Sequence, residues 1–169
     1  MTKAKINPLI IVGVILAVIL VFTMGDGLLP TPATTVLSVA PNTVEVISEG
    51  QQTVVTLRIA KVEGLYSWQV ALKTEPVTEQ VTFVEATLPP SHVFAGQECF
   101  GLLSSVESGQ VIIGYTLLGD EPSFSGDGVL VEVKFRLSGV GNIIKFWINE
   151  EKTIFVDNEL NEIPFSVAK

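Results

Sequence analysis

A chain of 169 residues has room for one domain of ordinary size, and ten Lys and Arg against eighteen Asp and Glu leave it a net charge of −8. It contains no basic run, which excludes a nucleic-acid backbone as partner, since phosphates are held by clustered Lys and Arg. The one cysteine, Cys99, can form no internal disulfide, and the one histidine, His92, cannot supply the three or four N or S ligands of a usual zinc site.

Residues 1–8 form a short basic start with Lys3 and Lys5, and residues 9–24, "LIIVGVILAVILVFTM", hold no charge. As a helix rising ~1.5 Å per residue the uncharged run spans roughly 24 Å, close to the ~30 Å hydrocarbon core of a bilayer. It reads as one N-terminal transmembrane signal anchor, with the basic end in the cytoplasm and the rest outside. A secretory signal peptide is the competing reading. Thr23 and Gly25 are small enough for a cut, but no Ala-x-Ala precedes it. Both readings export the remainder. The expected location is a single-pass membrane protein with its C-terminal domain outside the cell. Setting Lys3 and Lys5 aside leaves eight basic residues against eighteen acidic ones, a net of −10 on the exported part. Residues 25–34, "GDGLLPTPAT", carry Pro30 and Pro32 and read as a short stiff linker.

From residue 35 to 169 the apolar period is two almost throughout. In "TVEVIS" Val44 and Val46 oppose Thr43 and Glu45, and in "TVVTLRIAKV" Val55, Leu57 and Ile59 alternate with Thr56, Arg58 and Ala60. "LYSWQVALK" puts Tyr66, Trp68, Val70 and Leu72 on one face. "VTFVEATL", "CFGLLSSV" and "QVIIGYTLL" follow, the last apolar on both faces and therefore central. In "SGDGVLVEVKFRLSG" a Gly-Asp-Gly turn leads into a strand with Val129, Val131, Val133, Phe135 and Leu137 inward and Glu132, Lys134 and Arg136 outward. "NIIKFWIN", "KTIFV" and "IPFSV" complete the series. Turn residues separate these runs, for example at Glu63-Gly64, Asp127-Gly128 and Asp157-Asn158. Nine to ten short strands with a turn every eight to twelve residues predict an all-β sandwich or barrel.

Catalytic chemistry finds little support. Ser91 and His92 adjoin in "PPSHVFAGQ", but neighbours in an extended loop do not face one another, and no G-x-S-x-G elbow exists. Glu75, Glu79, Glu85 and Glu132 fall on different strands, and the adjacent Glu150 and Glu151 diverge. A glycosidase pair about 5 Å apart in a cleft is therefore not indicated. No enzyme activity and no cofactor are expected. Oxygen-rich loops at Asp120, Glu121 and Asp127 and at Asp157, Asn158 and Glu159 invite calcium but lack the spacing of a calcium loop, and turn chemistry accounts for them. Trp147 is the one candidate ligand contact. With Ile144, Phe146 and Ile148 on the inner face of "IIKFWIN", it stands outward beside Lys145.

Several of these stretches share a pattern. The Gly-rich approach Ser125-Gly126-Asp127-Gly128, the strand Val129 to Leu137, then Gly139, Gly141 and "NIIKFWIN" resemble the C-terminal half of a cohesin module. "TVEVISEGQQTVVTLRIAKVEGLYSWQVALK" resembles its opening, and "GQVIIGYTLLGD" the strand before the glycine turn. The likeness spans about residues 42 to 165. The usual Tyr-Asp-Pro after the aromatic strand reads Lys73-Thr74-Glu75-Pro76 here. The resemblance implies a nine-stranded β-sandwich of jelly-roll topology. It also implies a surface binding module that holds a dockerin-type partner, a small calcium-loaded helical module, or a polysaccharide, with a role in polysaccharide degradation. The alternative is a self-associating structural surface protein, since an apolar N-terminal helix before an exported β-domain is also how pilin-like filament subunits are built.

Overall fold

A computed structural model describes residues 35–76, 79–107 and 110–168. The expected anchor at 9–24 and the linker at 25–34 lie outside the described residues. Among the described residues no helix is long and apolar enough to cross a membrane.

The period-two runs form ten strands: β1 Thr35–Ala40, β2 Thr43–Glu45, β3 Gln51–Glu75, β4 Val81–Thr87, β5 Cys99–Glu107, β6 Gln110–Leu117, β7 Phe124–Leu137, β8 Ile143–Ile148, β9 Ile154–Asp157 and β10 Phe165–Val167. A single 3₁₀ turn, Glu150–Lys152, separates β8 from β9. Where two strands were expected, on either side of Glu63-Gly64, there is one of 25 residues, β3. Its first half pairs with β1 and β7, and its second half with β6, β8 and β9. β3 therefore belongs to two sheets. The first runs β10-β1-β3-β7-β4, and the second runs β5-β6-β3 with β9 and β8 end to end along the far edge of β3 and β2 beyond β8.

The crossing has a local cause. Lys61 and Gly64 both take positive φ, 57° and 69°, and the register against β7 slips between Ile59, Val62 and Leu65. Before the slip the odd positions Val55, Leu57 and Ile59 are buried; after it the even positions Trp68, Val70 and Leu72 are. The irregularity reverses the inward phase, as a strand leaving one layer for the other must do, because a one-residue slip turns every side chain to the opposite face.

A second slip corrects the reading of the stretch from Ser125. β7 runs through the supposed Asp127-Gly128 turn without ending there, and its register against β3 shifts between Leu57 and Arg58. Leu130 and Val131 are both fully buried, whereas Val129 is only half-buried. Alternation holds from Val131 to Leu137 and fails one residue before it.

The two sheets pack face to face through rings. Phe135 on β7 meets Phe146 on β8 at 5.0 Å between centroids, and Phe155 on β9 meets Phe165 on β10 edge-on at 5.0 Å. Such pairs add about 0.5–1.5 kcal/mol to the burial of the rings themselves. The segment 89–98 closes the sandwich with Val93 and Phe94, both buried, and is pinned to β7 by the Val93 N–H donating to the Val129 carbonyl at 2.9 Å.

Candidate functional site

The two sheets turn different surfaces outward. On the first, Arg58 on β3, Glu132, Lys134 and Arg136 on β7, and Glu85 and Thr87 on β4 make a mainly charged surface, with Lys134 paired to Glu85 and Val54, 43 % exposed, beside Lys134 on β3. Exposed pairs of this kind contribute about 0–1 kcal/mol, so this one adds little to stability.

The second sheet differs. Its rows follow from register: Phe100 on β5 lies beside Thr116 on β6 and Ser67 on β3; Leu102 beside Gly114 and Gln69; Ile112 beside Ala71; and Lys73 beside Trp147 on β8. Gly114 keeps the centre low, whereas Ala71, in the outward phase of β3, is fully buried. A Cβ on Gly114 would sit 3.1 Å from the Trp68 carbonyl oxygen, so glycine is what lets the two backbones lie this close. Phe100 and Trp147 stand above this centre, 42 % and 44 % exposed. They mark opposite corners, roughly 20 Å apart along the strands and about 14 Å across them. The Lys73 ammonium lies over the Trp147 ring, 4.8 Å from its centroid, which holds the ring in place.

One end of this face is fixed by a buried polar clamp. The Asn149 N–H donates to the Ala71 carbonyl at 2.8 Å, and the Ala71 N–H donates to Thr153 Oγ1 at 3.2 Å. Thr153 Oγ1 in turn donates to the Asn149 carbonyl at 2.8 Å, and Asn149 Nδ2 donates to Gln110 Oε1 at 2.9 Å. The clamp occupies the gap in the ladder where the neighbour of β3 changes from β9 to β8, so Ala71 has no unpaired backbone group there.

The other residues singled out in the sequence fall elsewhere. His92 is half-buried, its Nδ1 accepting the Phe94 N–H at 3.2 Å, and burial holds its imidazole below the ordinary range. Asp127 Oδ1 accepts the Lys61 N–H at 2.7 Å, which secures the bend in β3. Burial pushes the Asp157 carboxyl up, but three hydrogen bonds outweigh it and bring it below the ordinary range; they come from the Asn161 side chain and the Asn161 and Glu159 N–H groups. Asp127 thus braces a neighbouring strand and Asp157 its own following turn. Among the described residues no three His, Cys, Asp or Glu side chains gather as metal ligands would. Cys99 is half-buried on β5 opposite Leu117, a free thiol packed against the core. Phe100 was not singled out in the sequence. Its only signal there is the alternation of "CFG", which does not say which face is outward.

This architecture defines a cohesin-like β-sandwich. Among solved structures the chain is similar to a non-cellulosomal cohesin from the hyperthermophilic archaeon Archaeoglobus fulgidus, with TM-score 0.59 and 18 % identity over 80 % of this chain and 86 % of that one. It is also similar to a cohesin–dockerin complex from Clostridium thermocellum, with TM-score 0.57 and 13 % identity over 85 % and 94 % of the two chains. A type II cohesin domain from the cellulosome of Acetivibrio cellulolyticus gives TM-score 0.58 and 14 % identity over 80 % and 92 %. No family model matches the chain, and no curated protein does.

Proposed function

We propose that the chain is a non-catalytic binding module displayed outside the cell, holding a dockerin-type protein partner on the outer face of β5-β6-β3-β8. The observation that carries this reading is the contrast between the two outer faces. One is dominated by charged side chains, while the other carries two half-exposed rings, Phe100 and Trp147, at opposite corners of a face whose centre is kept low by Gly114, and exposed aromatic rings are favoured anchors in a protein interface. The solved cohesins bound to dockerins, such as the one from Clostridium thermocellum, supply the class of partner. Residues 9–24 hold the module at the membrane and residues 25–34 give it reach. Recruitment of polysaccharide-degrading enzymes is the role that such a partner would bring.

The test is capture on the detergent-solubilised full chain, exposed to extract and secretome of the source cells. The reading predicts a partner that a calcium chelator releases and that the Phe100→Ala, Trp147→Ala double variant fails to hold. Capture unaffected by the double variant would remove the face from consideration. Recovery of the chain's own copies, with or without calcium, would favour the filament subunit.

A further inference from the structure

The three most exposed large apolar residues among the described ones are Ile47, Val140 and Ile143, at 74 %, 62 % and 58 %. They belong to one tip of the sandwich. The Val46 N–H donates to the Asn142 carbonyl at 2.9 Å and the Gly141 N–H to the Val46 carbonyl at 2.8 Å, which sets Ile47 alongside Val140. Ile143 follows as the first residue of β8, opposite Glu45. Scattered exposed hydrophobics need no explanation, but three on one rigid tip do.

The tip is rigid because every turn in it is tied. Gln51 Oε1 accepts the Ile47 N–H at 2.8 Å while Gln51 Nε2 donates to the Glu45 carbonyl at 3.2 Å. Glu49 Oε2 accepts the Gly139 N–H at 3.1 Å, and Asn142 Nδ2 donates to Gln80 Oε1 at 2.9 Å. Ile47 and Val140 are thus presented to solvent by a braced scaffold. Thr35, the first residue of β1, lies near Lys61, at the opposite end of the first half of β3 from the tip.

Charge and geometry narrow what covers it. A second copy would bring the same acidic rim, Glu45 and Glu49, and the same net negative charge, and the Gln51 amide already takes the Glu45 carbonyl and the Ile47 N–H along the edge of β2. Three side chains also fall well short of the ~800 Å² per partner of a stable interface. An anionic bilayer meets the same repulsion. The tip is, however, continuous with the candidate face, because Ile143, Lys145 and Trp147 are the successive outward residues of β8. We propose that the protein docked on the β5-β6-β3-β8 face also reaches round this tip, burying Ile47, Val140 and Ile143 under an apolar side chain flanked by Lys or Arg that complements Glu45 and Glu49. This rests on the reading of that face as the docking surface.

Photo-crosslinking in the source cells tests it with the full chain carrying p-benzoylphenylalanine at Ile47 in one variant and at Phe100 in another, the crosslinked chains being identified by mass spectrometry. The same partner chain is expected at both positions, and adding Val140→Lys to the Phe100-labelled chain lowers its yield there about tenfold. A crosslink at Phe100 alone, or one insensitive to Val140→Lys, overturns the tip and leaves the docking face standing. A second copy of this chain, a lipid or a different protein at Ile47 also overturns it. No crosslink at either position removes the docking face and the tip together.

Discussion

Phe135 shows what a single residue contributes here. It is buried to 1 %, stacks on Phe146 at 5.0 Å and meets Phe83 edge-on at 6.2 Å. Phe135→Ala leaves a cavity between the layers and is expected to cost about 3–5 kcal/mol in denaturant unfolding. Trp147→Ala, by contrast, removes a ring that is 44 % exposed and should change the unfolding midpoint little while abolishing partner capture. Gly128 shows the opposite kind of constraint, since a Cβ there would meet Val93 Cγ1 at 2.6 Å. His92 carries a pH signature. Its folded pKa lies below the unfolded 6.5, so the unfolded chain takes up the proton first as the pH falls. The stability it contributes is complete above pH 6.5 and is lost as pH falls from there through the folded value. The Tm should therefore drop as the pH falls below about 6.5, and His92→Gln should flatten that part of the profile.

Among the elements, β3 and the clamp beside it decide the shape of the candidate face. Thr153 is 2 % exposed, and its hydroxyl both accepts from Ala71 and donates to Asn149. Thr153→Val keeps the volume but strands the Ala71 N–H, an expected loss of about 1–3 kcal/mol measurable by equilibrium unfolding. Gln51 covers part of the free edge beside β2, its amide bonding the Glu45 carbonyl and the Ile47 N–H. Gln51→Ala is expected to expose that edge and raise self-association, read by light scattering against concentration. A variant that stays monodisperse would show that the edge is protected by something else. Both devices were invisible in the sequence. Gln51 and Thr153 look like ordinary surface polar residues until the fold places β2, β3 and the 3₁₀ turn together.

For the whole molecule, charge is the governing property. With eight basic and eighteen acidic residues, the stretch from residue 25 to 169 repels copies of itself and draws cationic partners, so association with the captured partner should slow steeply as salt is raised. Stopped-flow association rates at low and high ionic strength check this. A rate indifferent to salt would separate partner recognition from the acidic surface. The scaffold beneath that charge presents one mainly charged face, one face with two exposed rings and an apolar tip, and the outward residues of β8 run from the tip into the face with the rings.

Period-two alternation, β-branched runs and turn residues were enough to establish that the described residues are all-β and where nearly all their strands lie, because these are properties of near neighbours along the backbone. The outward direction of Trp147 followed in the same way from Ile144, Phe146 and Ile148. Long-range pairing alone decided the rest. It joined two expected strands into β3, moved the inward phase at Lys61–Gly64 and again at Leu130, and put Phe100 and Trp147 on one face and Ile47 beside Val140. A slip of one residue in register exchanges inside for outside, and register is set by a strand's partners across the fold, which the order of residues does not display.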